Sequence, residues 1–479
     1  MIDRRGWLKS LTAGLCSLTA GRSLGSWAAE TPKPEAPAPV NPSPFRHRGY
    51  LGWITDLAAR PDANAPWPSM RLDTRLLEDY RQCCGVLRRL GFNEISIWGL
   101  YVSRAWPVDI VSSVTPERGA LVEQLIETAR QSGLRVLSGL GVYSWGFDDI
   151  IAVHPQLSRG NPHALCASEP QSWEWMRKVL DFVFTRFPID GVSLQSADQG
   201  RCRCEACAKL SDPEYHALLN TRTADYIRRQ WPDKTIGVNS WGMRFGDPAA
   251  RPALVDMSGR IDYLIDVHDS SRAENPAYRK QLIQNLKCDF GTLGGPQVEP
   301  PQHWQRDRWF LPTAKGAAKH LQELAADGGR ACEYFFHILE NPGDELTLWV
   351  AGKVLSDPTV PWENHLRDSV QELYGVERPA ARDALAELFV DAEDAYFKHL
   401  DKVPCGTISL EPLIGDQPGP PIYLQPGLND QQREEYRKDL RAIQERFIQL
   451  VPEVPQKERM RKVIVCLENA MKDIGPLKP

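Results

Sequence analysis

The chain gathers carboxylates, aromatics and amides in short clusters where apolar runs end. "YLGWITDL" (50–57) carries Thr55 and Asp56 at its end, and "FNEISIWG" (92–99) reaches Trp98, with Tyr101 just beyond. "RVLSGLGVYSWG" (135–146) presents Tyr143 and Trp145, and "IDGVSLQSAD" (189–198) presents Gln195 and Asp198. "TIGVNSWG" (235–242) offers Asn239 and Trp241, while "IDYLIDVHD" (261–269) offers Asp266, His268 and Asp269. "GRACEYFF" (329–336) carries Glu333, followed by His337 and Glu340. Two carboxyl groups on one cavity can cleave a glycosidic bond: one protonates the leaving oxygen, and the other is the nucleophile or activates water. Flat aromatic faces suit sugar rings, and amides suit hydroxyls.

Asp198 and Glu333 are the leading catalytic pair. Asp56, Trp98, Tyr143, Trp145, Gln195, Asn239, Trp241, Asp266, His268 and Asp269 are read as substrate contacts. For each carboxylate taken alone, a structural ion pair or a helix cap is the competing role. His268 sits between two aspartates, which fits a hydrogen-bonded contact as well as a general base.

Such residues converge only if the runs that carry them are strands of one sheet. The apolar runs alternate with longer amphipathic stretches of helical spacing, such as 75–91, 117–133, 169–187 and 213–231. Residues 288–295 or 308–312 supply a seventh strand, and 329–336 the eighth. Eight strands each trailed by a helix predict a closed (β/α)8 TIM barrel of the α/β class, with the active site at the strand C-terminal ends. An open doubly wound sheet is the alternative, but no glycine-rich phosphate fingerprint follows the first strand. The barrel is placed at 49–358 and a helical C-terminal region at 359–479, with helices near 362–375, 381–400, 431–451 and 457–474.

Cys202, Cys204 and Cys207 follow Asp198 in "DQGRCRCEACAKL". Three thiols at that spacing, with no fourth ligand close in sequence, make a weak zinc signature. Cys166, in "HALCASE", lies in the preceding loop and would complete a site or pair with one of them. In an oxidising compartment a disulfide that stiffens the loop is the preferred reading, so no metal and no cofactor are expected. Cys83 and Cys84 are read as packing residues of a helix.

The compartment follows from the first thirty residues. Arg4 and Arg5 precede the apolar stretch "LTAGLCSLTAG", and small residues follow at Ser26-Trp27-Ala28. This pattern predicts a twin-arginine signal peptide over 1–28 and a periplasmic or secreted protein. Leu15 is too large to precede a lipidated Cys16. Residues 29–48 are a proline-rich tether. No later stretch is long and apolar enough to span a bilayer, so no membrane association is expected of the mature form. The net charge of -5 over 479 residues provides no basic stripe, which argues against a nucleic-acid partner. The expected partner is a carbohydrate substrate, and the fifteen tryptophans fit that reading.

"IDGVSLQSADQGRCRCEACAKL", then a helix and "RRQWPDKTIGVNSWG", resembles the fourth-to-fifth strand region of a group of barrel glycoside hydrolases. The group includes alpha-glucuronidases, beta-N-acetylhexosaminidases and related bacterial domains with an Asp followed by clustered cysteines. "ENPGDELTLWVAGKVLSDPTVPWENHLRDSVQELYG" is similar to the group's segment joining the last strand to a helical tail. The resemblance covers about a third of the chain, and it implies a barrel and a carbohydrate substrate. Hexosaminidases of the group carry an Asp-Glu pair after strand four, whereas this chain has Gln199 in the second position. Only Asp198 is therefore carried across, and the substrate-assisted mechanism is not. Two other readings remain: a non-catalytic carbohydrate-binding barrel, and a metal-dependent hydrolase using the cysteines or the Asp266-His268-Asp269 cluster.

Overall fold

The computed structural model describes residues 43–53, 74–98, 116–144, 146–196, 200–240, 245, 247–267, 276–293, 310, 313–335, 342–400 and 429–473. Its strands are β1 (His47–Trp53), β2 (Glu94–Trp98), β3 (Arg135–Gly141), β4 (Gly191–Gln195), β5 (Thr235–Asn239), β6 (Tyr263–Asp266), β7 (Asp289–Leu293) and β8 (Ala331–Phe335). They form one closed barrel in sequential order. Every neighbouring pair is parallel, and β8 closes on β1 with Glu333 opposite Gly49. The predicted (β/α)8 barrel is what the chain builds. Of the two candidates for the seventh strand, the earlier one is β7, and β1 begins at His47.

The strands are short and apolar because a parallel barrel is covered on both faces, so neither face needs to be polar. Two cores result. One lies between barrel and helices and includes Tyr50, Phe92, Leu264, Phe290 and Tyr334. The other fills the lumen with Leu137, Tyr263, Ile265, Val267, Leu293 and Ala331. The period-two alternation of a strand separates these sets, as Leu264 and Ile265 show.

Helices α1 (Thr74–Arg89), α2 (Pro116–Gln131), α3 (Asp148–Val153), α4 (Pro170–Arg186), α5 (Glu205–Ala208), α6 (Asp212–Gln230), α7 (Arg251–Ser258), α8 (Pro276–Asn285), α9 (Ala314–Ala326) and α10 (Pro342–Ser356) run between and after the strands. Local signals set their ends. Ser211 and Glu214 form a reciprocal capping box at the start of α6, and Glu169 caps α4 just before Pro170.

Beyond the barrel lie α11 (Trp362–Tyr374), α12 (Pro379–Leu400), α13 (Asp430–Leu450) and α14 (Lys457–Asp473). Helix α11 stops at Gly375, whose φ of 70° is the left-handed conformation glycine tolerates best. Helix α10 is buried along nearly its whole circumference, from Pro342 to Leu355. A helix apolar all round must be covered on every side. Helix α9 is its main neighbour, Gly352 lies against Leu90 and Phe92, and α11 and α14 also pack on it, with Arg459 paired to the buried Glu345.

Candidate active site

At the strand N-terminal ends, His47 Nδ1 lies 2.8 Å from Glu94 Oε1, and Arg135 also pairs with Glu94. Arg46 reaches Asp289 at 3.3 Å. All four acidic and basic strand residues here are the first of their strands, or nearly so, and this end of a barrel serves stability.

Glu333 sits higher in the lumen, only 1 % exposed. Its Oε1 accepts hydrogen bonds from Ser193 Oγ at 2.8 Å and from Tyr263 Oη at 3.0 Å. Its Oε2 accepts one from Asn239 Nδ2 at 3.2 Å. Four strands therefore converge on this carboxyl: β4, β5, β6 and β8. Burial pushes its pKa above the ordinary carboxylate value, opposed by the three hydrogen bonds and helped by the charge of Glu94. Donors among the described residues fill three of roughly four lone-pair positions, two on Oε1 and one on Oε2.

Asn239 is the last residue of β5 and Gln195 the last of β4, and they are register partners. Both are buried, and alternation from Ser193 turns Gln195 to the lumen. Trp98, the last residue of β2, stands opposite Gly139 of β3. A Cβ on Gly139 would lie 2.2 Å from the Trp98 ring, so the missing side chain is what lets the indole lie across the lumen wall. Gly237 does the same for Tyr263, whose ring a Cβ would meet at 2.2 Å.

The structure thus brings Trp98, Gln195, Asn239 and Glu333 to one lumen. It does not bring Tyr143 or Asp266 there. Tyr143 is a non-glycine residue with a φ of 62°, a strained conformation fixed by the Leu165 N–H, which donates to the Tyr143 carbonyl at 2.7 Å. Its hydroxyl faces Arg222 Nη1 at 3.4 Å, and the ring lies beside Cys166 and Cys207. It buttresses α6 instead of lining the lumen. Asp266 is fully buried, and alternation with Ile265 and Val267 turns it, with Leu264, to the helical side. Asp56, Trp145, Asp198, Trp241, His268 and Asp269 lie outside the described residues, as do Thr55, Tyr101, His337 and Glu340.

Sequence reasoning missed Ser193 and Tyr263. Ser193 could have been found by stepping back two places from Gln195. Tyr263 begins its strand and reaches Glu333 only through the length of its ring, which no spacing reveals.

The expected disulfide is replaced by something else. Cys166, Cys202, Cys204 and Cys207 are all free, and their sulfurs all lie within 4.8 Å of one another. Cys166 and Cys204 are 3.7 Å apart, whereas bonded sulfurs sit about 2 Å apart. The loops after β3 and β4 bring four thiols to one centre, with no pair singled out. An antiparallel bridge between Ser144 and Ala164 and the hydrogen bond from Leu165 hold the first loop in place.

No family model matches the chain. No curated protein sequence matches it either. Solved structures do. An O-GlcNAc hydrolase mutant from Thermobaculum terrenum aligns with a TM-score of 0.50 at 14% identity, over 89% of this chain and 82% of that one. A GH138 enzyme targeting pectin rhamnogalacturonan II aligns with a TM-score of 0.57 at 9% identity, over 91% of this chain. This chain spans 57% of that enzyme's length. The closed parallel barrel is a fold this chain shares with both of these enzymes. At such identities the likeness concerns the fold, and the chemistry has to be argued from this chain's own residues.

Proposed function

We propose that the chain is a glycoside hydrolase acting on a polysaccharide or oligosaccharide through Asp198 and Glu333. The observation that carries this reading is the Glu333 carboxyl, buried in the lumen, bonded to Asn239 at the rim and shifted toward its protonated form. A carboxyl so tuned is suited to proton transfer, and Asp198, three positions beyond the end of β4, is the second carboxyl. Trp98, Gln195 and Asn239 supply an aromatic face and amides for the sugar. The fold likeness to enzymes that act on O-GlcNAc and on pectin supports the same class.

The test assays the mature protein and its Asp198→Asn and Glu333→Gln variants against nitrophenyl glycosides and plant, algal and host oligosaccharides. Each variant is expected to lose about 100-fold or more in kcat. Full activity in either removes that residue from the pair.

One observation favours a second reading, a non-catalytic carbohydrate-binding barrel. Three donors on a carboxyl that is 1 % exposed also describe a purely structural hub. Under that reading wild-type protein binds oligosaccharides in calorimetry but hydrolyses none of the panel.

We also propose export through the twin-arginine route, supported by Arg4, Arg5 and the apolar and small residues after them. Arg4→Lys with Arg5→Lys is expected to hold the protein in the cytoplasm with residues 1–28 still attached. Among the described residues no helix is long and apolar enough to cross a membrane.

A further inference from the structure

We propose that Cys166, Cys202, Cys204 and Cys207 bind one zinc ion in an all-thiolate structural site that joins the loops after β3 and β4. The sulfurs lie within 4.8 Å of one another, with Cys166 and Cys204 at 3.7 Å. Zinc–thiolate bonds of about 2.3 Å in a tetrahedron set ligand sulfurs roughly 3.8 Å apart, so a small contraction of the cluster suffices.

The surroundings fit charged sulfur. The Cys204 N–H points at Cys202 Sγ at 3.4 Å, and the Cys207 N–H points at Cys204 Sγ at 3.4 Å. The Ser168 hydroxyl lies 3.0 Å from Cys166 Sγ and 3.3 Å from Cys204 Sγ. Such donors offset the negative charge of a four-thiolate site and orient its ligands. Cys202 Sγ also lies 3.2 Å from the Arg159 carbonyl, a contact that a protonated thiol makes and a zinc-bound thiolate gives up.

The segment is braced from outside as well. Arg201 donates to the Leu210 carbonyl at 3.1 Å, pairs with Asp212 at 2.6 Å and lies over the Tyr215 ring at 4.2 Å. The turn that carries the last three cysteines is thereby fixed on α6.

Three of the four cysteines are buried, and protein sulfur supplies all four positions, so no coordination site remains for substrate. The role is structural. Export in the folded state, as proposed above, brings the four thiols together in the reducing cytoplasm, where metal binding precedes any disulfide. Asp198 lies between β4 and Cys202 in sequence, so the ion would fix one end of the segment that carries it.

Elemental analysis of the full-length protein, purified without chelator or added metal, tests the proposal. One zinc per chain is expected, released as one equivalent to a chromogenic chelator when a mercurial blocks the thiols. Cys204→Ser with Cys207→Ser should reduce it to none, and Cys332→Ser, a buried cysteine elsewhere, should leave it unchanged. Because the double variant could fail to fold, intact wild-type protein is also denatured, stripped of metal and alkylated without reductant. Alkylation of all four cysteines supports the site, while a mass showing a disulfide among them overturns it. Absence of stoichiometric metal overturns it too, and one iron in place of zinc overturns the choice of ion.

Discussion

Glu333 meets two opposing demands, since three donors favour its ionised form and complete burial favours the neutral one. Burial wins, so the folded state holds the proton more tightly than the unfolded chain does. Its contribution to stability is then complete below the ordinary carboxylate range and is lost as pH rises through the raised folded-state pKa. Glu333→Gln removes the titration, and its thermal midpoint is expected to vary less between pH 4 and pH 8 than that of wild type. A variant that keeps the wild-type slope would show that folding does not raise the Glu333 pKa. Much of this cluster was legible before any coordinates: Glu333, Asn239, Gln195 and Trp98 all stand at positions that strand periodicity aims at the lumen. Tyr143 and Asp266 were misplaced for two different reasons. A left-handed turn redirects Tyr143, and a single step of strand alternation reverses Asp266.

Among the secondary-structure elements, α9 shows how the C-terminal helices are tied to the barrel. Its own N-cap, Thr313, makes no side-chain bond to the helix and instead faces the Thr347 hydroxyl at 3.1 Å. Glu393, from α12, takes over that role, accepting from the Lys315 N–H at 2.8 Å and the Gly316 N–H at 2.6 Å. Burial pushes the Glu393 carboxyl up to about 7, against the pull of those N–H groups and of Lys315. Its proton is therefore retained on folding, and its contribution is complete below pH 4.5 and lost as pH rises toward 7. Glu393→Gln should flatten this part of the stability curve by an amount on the order of 3 kcal/mol, read from urea melts at pH 5 and pH 8. An unchanged difference between the two pH values would contradict it. No feature of the sequence announces this cap, because its two halves are 78 and 77 positions apart. All four members of the cysteine cluster were legible, Cys166 included although it stands 38 positions before Cys204; that their sulfurs meet at one centre was not.

For the molecule as a whole, barrel and tail share a core. Phe310 meets Phe389 of α12 and Phe447 of α13 at ring distances of 5.6 and 6.0 Å, so the segment leading into α9 is packed directly on the C-terminal helices. A chain ending at Gly375 would expose this apolar surface, and it is expected in the insoluble fraction or, if soluble, to bind a hydrophobic dye strongly. A soluble, dye-silent truncation would show that the barrel stands alone. The barrel order could be read from alternating runs, because parallel strands buried on both faces are almost continuously apolar. The seventh strand was ambiguous because two short apolar runs lie between α8 and α9. One side chain links the ion pairs at the strand N-terminal ends to the Glu333 cluster. The Tyr263 ring lies 4.5 Å from the His47 ring at the closed end, while its hydroxyl touches Glu333. The lower ion pairs and the Glu333 carboxyl therefore share one tyrosine, and substitutions that repack the first for heat tolerance are expected to shift the titration of the second. Tyr263→Phe, which deletes only that link, should move the pH optimum of any hydrolysis while leaving the barrel folded.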